Sequence, residues 1–197
     1  MGVIGLTGGI ASGKTLVSDY MRELGVDIID GDVITRRLYR PGGKLLREIA
    51  AVFGDEYLLP DGELNRRAVR ELVFADPEAK RKLEAIVNPA IYDAVVHDLL
   101  TSPRDHQLLV LPLLIEGGYA PLCDEIWLLR VDEKEQIRRL TVRDGVDEAL
   151  AKAMITSQMP FAEKRKYAHR VIDNRGCPHK TLQRTKKSFF RFLKNFY

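Results

Sequence analysis

Residues 8–15, GGIASGKT, are the stretch of this sequence that decides the fold. The apolar run VIGLT precedes them and a helical pattern begins at Lys14, so the stretch connects a strand to a helix. An ordinary connection of this kind needs neither these glycines nor a lysine beside a threonine. The spacing G-x4-G-K-T, in this strand-to-helix context, is the pattern of a phosphate-binding loop.

The residue types in the loop suit that ligand. Glycines let successive backbone N–H groups curl around phosphate oxygens, and the N-terminus of the following helix adds positive potential. Lys14 can reach the terminal phosphates and Thr15 can ligate Mg²⁺, so we expect a nucleoside triphosphate with Mg²⁺. The alternative is a glycine-rich turn with a solvated lysine, which the flanking strand and helix disfavour. The predicted nucleotide-binding residues are Gly8, Gly9, Ile10, Ala11, Ser12, Gly13, Lys14 and Thr15.

Five short apolar runs alternate with longer stretches of helical periodicity: VIGLT, VDIID, LLVLPLLI, EIWLLRV and RVID. This alternation is typical of buried parallel strands joined by crossover helices, so we predict an α/β fold with a five-stranded parallel sheet. Roughly 75 residues separate the second run from the third, far more than one crossover needs. A helical insertion is therefore expected there, and Pro89 is among the residues expected to interrupt its helices.

Composition limits the classes of function. The chain has 197 residues, 45% of them hydrophobic, which suits one compact domain. Its 31 basic and 28 acidic residues nearly balance, so neither nucleic acid nor a membrane is required as a partner. The two cysteines form no CxxC pair and the four histidines lack metal-ligand spacing, so we expect a reduced, cytoplasmic protein without structural zinc. No leader segment is apparent, and the longest apolar stretch is too short to span a bilayer.

Two classes of nucleotide-binding protein are disfavoured by missing motifs. The sequence has no [NT]KxD element of GTPases and no LSGGQ-like signature of transporter ATPases, which leaves a small-molecule kinase. Ligands of open α/β sheets bind beyond the carboxyl ends of the strands, where Asp30 and Asp32 directly follow the second run. At least one of these carboxylates could face the transferring phosphate, with Arg36 one helical turn from Asp32. Asp32 could also N-cap a helix beginning near Val33, and the two roles are compatible.

Six segments together resemble the dephospho-coenzyme A kinase family: GLTGGIASGKT, DGDVITR, PLLIE, QIRRLTVRD, SQMPFAEKR and VIDNRG. The resemblance runs from Gly5 to about Gly176. Its most discriminating parts are the aspartate-x-aspartate pair followed by arginine and the terminal VIDN. It implies phosphoryl transfer from ATP to the 3′-hydroxyl of the dephospho-coenzyme A ribose, on a nucleoside-monophosphate-kinase-like fold with a helical acceptor domain and a lid.

On this resemblance, residues 1–197 are expected to form a single P-loop kinase domain. Its core would comprise about 1–60, 106–135 and 166–197, the helical substrate insertion about 61–105, and the lid about 136–165. Dephospho-coenzyme A is then the expected partner, and the oligomeric state is left open. Two alternatives stay open as well: a kinase for another small metabolite, such as a nucleoside monophosphate or a sugar acid, and a nucleotide-switched binding protein.

Three positions depart from the family pattern. Gly31 replaces the usual alanine between the two aspartates, and His169 replaces a usual aspartate and receives no role. Asn88-Pro89 stands where the family has histidine-proline, so Asn88 would have to make that histidine's substrate contact with its amide. The substrate-binding residues expected from the resemblance are Asp32, Arg36, Asn88 and Glu116.

Glu116 ends the run LLVLPLLI. If that run is a central strand, the carboxylate lies beside the phosphate loop, where it could orient Mg²⁺-bound water. A strand-end carboxylate paired with a lysine is an equal alternative.

The segment EKEQIRRLTVRDG predicts a helix in which Arg139 and Arg143 share one face and which Gly145 ends. A second helix is expected from about Glu148, capped by Asp147. As a kinase lid, these two helices would bring the positive charge of the arginines onto the charge that develops on the phosphoryl group. The alternative is a solvated charged face, and the family resemblance favours the lid. The catalytic residues expected are therefore Lys14, Asp32, Arg139 and Arg143.

Two features remain near the end of the chain. Asn174, in the loop after the fifth run, is expected to contact the nucleotide base. The tail KTLQRTKKSFFRFLKNFY has basic and aromatic residues but no acids. Its apolar positions form one helical stripe, which favours an amphipathic helix packed on the sheet over a nucleic-acid arm. That stripe is Leu182, Phe189, Leu193 and Phe196.

Overall fold

A computed structural model describes residues 2–196 of the chain. Its strands are β1 Gly2–Thr7, β2 Asp27–Asp30, β3 His106–Val110, β4 Glu125–Arg130 and β5 Arg170–Asp173. They form one sheet in the order β2-β3-β1-β4-β5. The pairings of β1 with β3 and with β4, and of β4 with β5, are parallel. Each strand overlaps one of the apolar runs, and the predicted five-stranded parallel sheet is confirmed.

The helices fill the stretches between the strands. They are α1 Lys14–Glu23, α2 Gly31–Leu38, α3 Lys44–Phe53, α4 Arg66–Ala75, α5 Pro77–Thr101, α6 Glu133–Asp144, α7 Glu148–Thr156, α8 Phe161–Tyr167 and α9 Pro178–Leu193. Among the described residues, none of these helices combines the length and apolar character that crossing a membrane requires.

The described chain divides into two compact units, one made of residues 2–29 and 102–196 and the other of Asp30–Thr101. In the first unit, β1, β3 and β4 are buried almost throughout, as expected of the inner strands of a parallel sheet covered on both faces. Its core joins side chains of these strands, such as Ile4, Leu108 and Trp127, to those of α1 and α9.

The predicted packing of the C-terminal helix is confirmed, because α9 packs against α1 and β5. Its buried stripe differs in part from the predicted one: Phe189 belongs to the core as expected, Phe192 joins it, and Leu182 is only partly buried. Thr181 and Thr185, one turn apart, complete the buried face of the helix.

The second unit contains α2 to α5 and most of the expected insertion, which was placed at 61–105. Its own core is built around Leu45, Leu46 and Ile49 of α3. The expectation that Pro89 interrupts a helix is wrong, because α5 runs through it from Pro77 to Thr101. Proline removes one backbone hydrogen bond, but Ile86, Val87 and Ala90 pack against the core on both sides of it and hold the helix.

Candidate active site

The phosphate loop lies between the end of β1 at Thr7 and the start of α1 at Lys14. Two of its residues have left-handed backbone angles, Ala11 with φ 57° and Gly13 with φ 90°. Gly13 is the N-cap residue of α1, and no side-chain cap hydrogen bond is formed there, as suits a helix N-terminus that receives an anionic ligand. Lys14 Nζ donates to the carbonyls of Gly8 (3.0 Å) and Gly9 (3.2 Å), and Thr15 is exposed in the first helical turn. The predicted strand, loop and helix are therefore present with the expected boundaries.

Three side chains from outside the loop donate to its consecutive carbonyl groups: Gln136 Nε2 to Ile10 (2.6 Å), Arg139 Nη1 to Ala11 (3.1 Å) and Asn174 Nδ2 to Ser12 (2.7 Å). Of these, Arg139 and Asn174 were predicted from the sequence as site residues. Gln136 was missed, although it lies three residues before Arg139 in α6 and shares its helical face. That shared face was the signal that could have identified it.

Gln158 is a second missed residue. Its Oε1 accepts a hydrogen bond from the N–H of Ile10 at 2.8 Å, so a loop donor is engaged by a side chain of the predicted lid segment. Together with Gln136, this side chain holds the Ile10 residue by both its N–H and its carbonyl. No local pattern identifies Gln158, because it lies in the connection between α7 and α8.

Asn174 lies behind the loop and is 2% exposed. Its Nδ2 donates to the Ser12 carbonyl, and its Oδ1 accepts from the Thr181 hydroxyl at 2.8 Å. A Cβ added at Gly13 would come within 2.3 Å of Asn174 Nδ2, so only glycine permits this close approach. The amide is thus engaged by the protein, and the expected contact with the nucleotide base stays a prediction.

Glu116 does not lie at the end of a strand, as the sequence had led us to expect. Strand β3 ends at Val110, before Pro112, and the rest of the apolar run forms turns, so Glu116 is not at a strand end. Its carboxylate accepts from Met159 N (3.3 Å) and pairs with Lys164 Nζ at 2.9 Å. Lys164 is 1% exposed and also donates to the Pro112 carbonyl at 2.9 Å. The pairing with a lysine, one of the two alternatives for Glu116, is therefore observed.

The two helices of the predicted lid begin and end as expected. Gly145 ends α6 with φ 67°, and the Asp147 side chain accepts from Leu150 N (2.7 Å) at the start of α7. The two arginines of α6 have different surroundings. Arg139 lies on the phosphate loop, whereas Arg143 is 60% exposed and paired with Asp144 at 2.7 Å.

Charge is concentrated on one turn of α6. Hydrogen bonds from Arg138 and then Arg139 hold the pKa of Glu135 at about 2, so this carboxylate stays ionised near neutral pH. Arg139 Nε donates to Glu135 at 2.8 Å while its Nη1 reaches the loop. Glu135 therefore orients Arg139 toward the Ala11 carbonyl.

The remaining candidates lie in the second unit. The Asp30 carboxylate accepts from the N–H groups of Asp32 (2.8 Å) and Val33 (3.3 Å), so Asp30 is the N-cap of α2. The alternative that Asp32 caps this helix is wrong, because the helix already begins at Gly31. Asp32 and Arg36 are exposed one turn apart on α2, and Asn88 is exposed on α5.

His169 lies in the first unit and had no assigned role. Its Nδ1 accepts a hydrogen bond from Ile126 N at 3.0 Å, so it supports the pairing of β4 with β5.

Comparison with known sequences identifies one family. The dephospho-CoA kinase family model matches residues 2–179. A dephospho-CoA kinase of Geobacter metallireducens is 45% identical over 182 residues, covering 91% of this chain and 90% of that protein. Another, of Aggregatibacter actinomycetemcomitans, is 46% identical over 172 residues, covering 87% and 83%.

Solved structures show the same fold. A protein of Thermus thermophilus has a TM-score of 0.85 at 32% identity, with 97% of each chain covered. The dephospho-CoA kinase of Campylobacter jejuni has a TM-score of 0.73 at 24% identity, covering 99% of this chain and 98% of that one. A shikimate kinase of Acinetobacter baumannii, at 19% identity, has a TM-score of 0.55 and covers 99% and 94%. The predicted P-loop kinase fold is therefore confirmed.

Proposed function

This chain belongs to the dephospho-CoA kinase family, and from that membership we propose that it transfers the γ-phosphoryl group of ATP to the 3′-hydroxyl of dephospho-coenzyme A. The products are coenzyme A and ADP, which makes this the last step of coenzyme A synthesis. The observation that carries the proposal is the phosphate loop between β1 and α1, where Gly13 is the N-cap of the helix and the Lys14 ammonium lies against the Gly8 and Gly9 carbonyls. Family membership supplies the identity of the acceptor.

Mg²⁺ is part of the proposal. The Thr15 hydroxyl, exposed in the first turn of α1, fits a metal that usually binds through one or two protein ligands together with substrate phosphates. When bound, the metal supplies positive charge that offsets the charge of the phosphates. In this arrangement Lys14 binds the terminal phosphates, and the loop N–H groups hold the remaining phosphate oxygens.

We assign the acceptor chemistry to Asp32. Its carboxylate accepts the proton of the attacking 3′-hydroxyl and holds that oxygen in line with the γ-phosphate. Arg139 and Arg143 stabilise the charge that develops on the transferring group. Arg36, Asn88 and Glu116 bind the acceptor, and Asn174 contacts the base of ATP.

The same proposal includes the cellular location of the enzyme and the kind of partner it binds. We place it in the cytoplasm as an enzyme that acts on small molecules, without a nucleic-acid or membrane partner. The near balance of basic and acidic residues, 31 against 28, supports this.

An acceptor panel tests the function. Purified protein with ATP and Mg²⁺ is offered dephospho-coenzyme A, adenosine, nucleoside monophosphates, gluconate and shikimate, and ADP formation is measured for each. We expect dephospho-coenzyme A to be phosphorylated with the highest kcat/KM. A preference for any other acceptor would refute the assigned substrate. ATP binding without phosphorylation of any acceptor would favour the nucleotide-switched binding protein instead.

A further inference from the structure

The three donors behind the phosphate loop act on its peptide planes. In a planar trans peptide, the carbonyl of one residue and the N–H of the next point in opposite directions. A side chain that holds the Ile10 carbonyl therefore fixes the direction of the Ala11 N–H. In the same way, the hydrogen bond to the Ser12 carbonyl fixes the direction of the Gly13 N–H.

These two N–H groups are the candidates for binding a phosphate. Within the described residues, neither Ala11 N nor Gly13 N donates to a protein acceptor, whereas Ser12 N donates to the Gly9 carbonyl at 3.2 Å. Successive backbone N–H groups in a turn of this kind can form an anion-binding concavity. Holding the outward carbonyls keeps the inward N–H groups in place before the ligand arrives.

Thr181 determines which end of the Asn174 side-chain amide faces the phosphate loop. The Thr181 hydroxyl, 0% exposed on α9, donates to Asn174 Oδ1 at 2.8 Å and thereby leaves Nδ2 facing the Ser12 carbonyl. If the amide rotated by half a turn, its oxygen would face that carbonyl and two acceptors would oppose each other. Thr181 lies beyond residues 2–179, the part of the chain that the family model matches.

We propose that Gln136 and the Thr181–Asn174 pair are positioning residues that hold the phosphate loop in its anion-binding shape. They act on the phosphates through the backbone and touch neither reacting atom. The inference rests on the proposed binding of ATP by this loop, and it adds a requirement for two residues outside the predicted site, one on α6 and one on α9.

Substitution of Thr181 tests the proposal. Thr181→Val keeps the shape of the side chain and removes the hydroxyl, and Thr181→Ser restores the hydroxyl. Thr185→Val is the matched control, because Thr185 is also 0% exposed on α9 and donates to a backbone carbonyl, that of Thr181, at 2.9 Å. Binding of tripolyphosphate and of ATP is measured by calorimetry without acceptor, and thermal unfolding is measured on the same samples.

We expect Thr181→Val to bind tripolyphosphate about tenfold more weakly, the loss that one net hydrogen bond represents. Thr181→Ser should recover most of that affinity, and Thr185→Val should bind as the unmodified protein does. Equal tripolyphosphate affinities for the two valine variants would overturn the proposal. Weaker binding of ATP with unchanged binding of tripolyphosphate would also overturn it, because Asn174 would then serve the base and not the phosphates.

Gln136→Met provides a second test that leaves α9 intact. Methionine fills a similar volume but cannot donate to the Ile10 carbonyl. Its matched control is Gln107→Met, since Gln107 is 0% exposed and donates to the Arg104 carbonyl at 3.1 Å, at the start of β3. Weaker tripolyphosphate binding in Gln136→Met alone supports the proposal, and equal binding by both variants contradicts it. Since acceptor is omitted throughout, a failure of the acceptor panel would leave these results interpretable.

Discussion

At the scale of single residues, the two aspartates after β2 have separate surroundings. Asp30 uses its carboxylate to cap α2, whereas Asp32 is exposed within the first turn of the helix. Negative charge in a first helical turn is modestly favourable, so Asp32 also fits its position electrostatically. Since the cap belongs to Asp30, the proposed catalytic role of Asp32 can be removed without removing the cap.

Asp32→Asn should therefore affect turnover far more than stability. Asparagine keeps the size and polarity of the side chain but cannot accept a proton from the 3′-hydroxyl. We expect kcat to fall by about 10²-fold or more, the scale of general-base loss. The melting temperature should change little, because only a favourable charge of about 0.3–1 kcal/mol at the helix terminus is lost. Steady-state kinetics and thermal unfolding on one preparation measure both effects.

Asp30→Ala is the matched variant for stability. Loss of an N-cap should reduce the free energy of unfolding by about 1 kcal/mol. If Asp32→Asn turns over normally per folded molecule, another group orients the hydroxyl, and Asp30 and Glu116 are the next candidates.

At the scale of secondary-structure elements, α6 presents two arginines to different neighbours. Arg139 is held between Glu135 and the Ala11 carbonyl, while Arg143 pairs with the adjacent Asp144. The hydrogen bond to Asp144 raises the pKa of Arg143, and a guanidinium is in any case charged at every pH the enzyme meets. To act on the transferring phosphate, Arg143 must exchange Asp144 for the ligand.

Arg143→Ala should reduce kcat by more than it reduces ATP affinity. The proposed arginine acts on charge that develops in the transition state, so its removal affects the chemical step more than ground-state binding. Arg22→Ala is the control, because Arg22 has a similar exposure of 59% and pairs with a nearby aspartate, Asp19, in the last turn of α1. A change confined to KM would identify Arg143 as a ground-state binding residue instead.

The elements that the sequence predicted correctly are those specified by neighbouring residues. The loop and α1 follow from glycine spacing, and the ends of the lid helices follow from Gly145 and Asp147, because caps and turns depend on only a few residues. Pro89 was misjudged because packing in the second unit outweighs the local preference of proline.

The contacts that were missed depend on tertiary placement. Gln136 and Gln158 meet Ile10 across 126 and 148 residues of sequence, and Lys164 meets Pro112 across 52. For Gln136 the only signal is the helical face that it shares with Arg139. Gln158 and Lys164 have no local signature, since solvent is the usual environment of glutamine and lysine. Only the folded chain distinguishes them from surface residues.

At the scale of the molecule, one carboxylate joins three separate parts of the first unit. Glu125, at the start of β4, accepts from Trp127 Nε1 (2.9 Å), from Arg170 of β5 (2.5 and 2.7 Å) and from Asn195 beyond α9 (3.3 Å). Burial acts to raise the pKa of Glu125, but hydrogen bonds from Arg170 and Trp127 outweigh it and hold the pKa below its ordinary value of 4.5.

This shift has a definite consequence for stability. A carboxylate whose pKa is lower in the folded state stabilises the fold at pH values above the unfolded pKa. That contribution is lost as the pH falls through the folded pKa. The contribution of Glu125 should therefore be complete at pH 7 and should decline below about pH 4.5.

Glu125→Gln should lower the free energy of unfolding by about 1.5–3 kcal/mol at pH 7, the range for hydrogen bonds to charged groups, because it leaves Arg170 without its anionic partner. The difference from the unmodified protein should shrink as the pH falls toward 3, since the unfolded chain then takes up a proton at Glu125 and the advantage of the ionised carboxylate is lost. Urea unfolding at a series of pH values measures this difference.

Glu163→Gln is the control. Glu163 and Lys166 form a pair in which the two side chains are 51% and 67% exposed, and such surface pairs contribute about 0–1 kcal/mol. If the Glu125→Gln difference is the same at pH 7 and pH 3, the ionised carboxylate is not what ties β4, β5 and the C-terminal segment together, and the shape of the side chain must be.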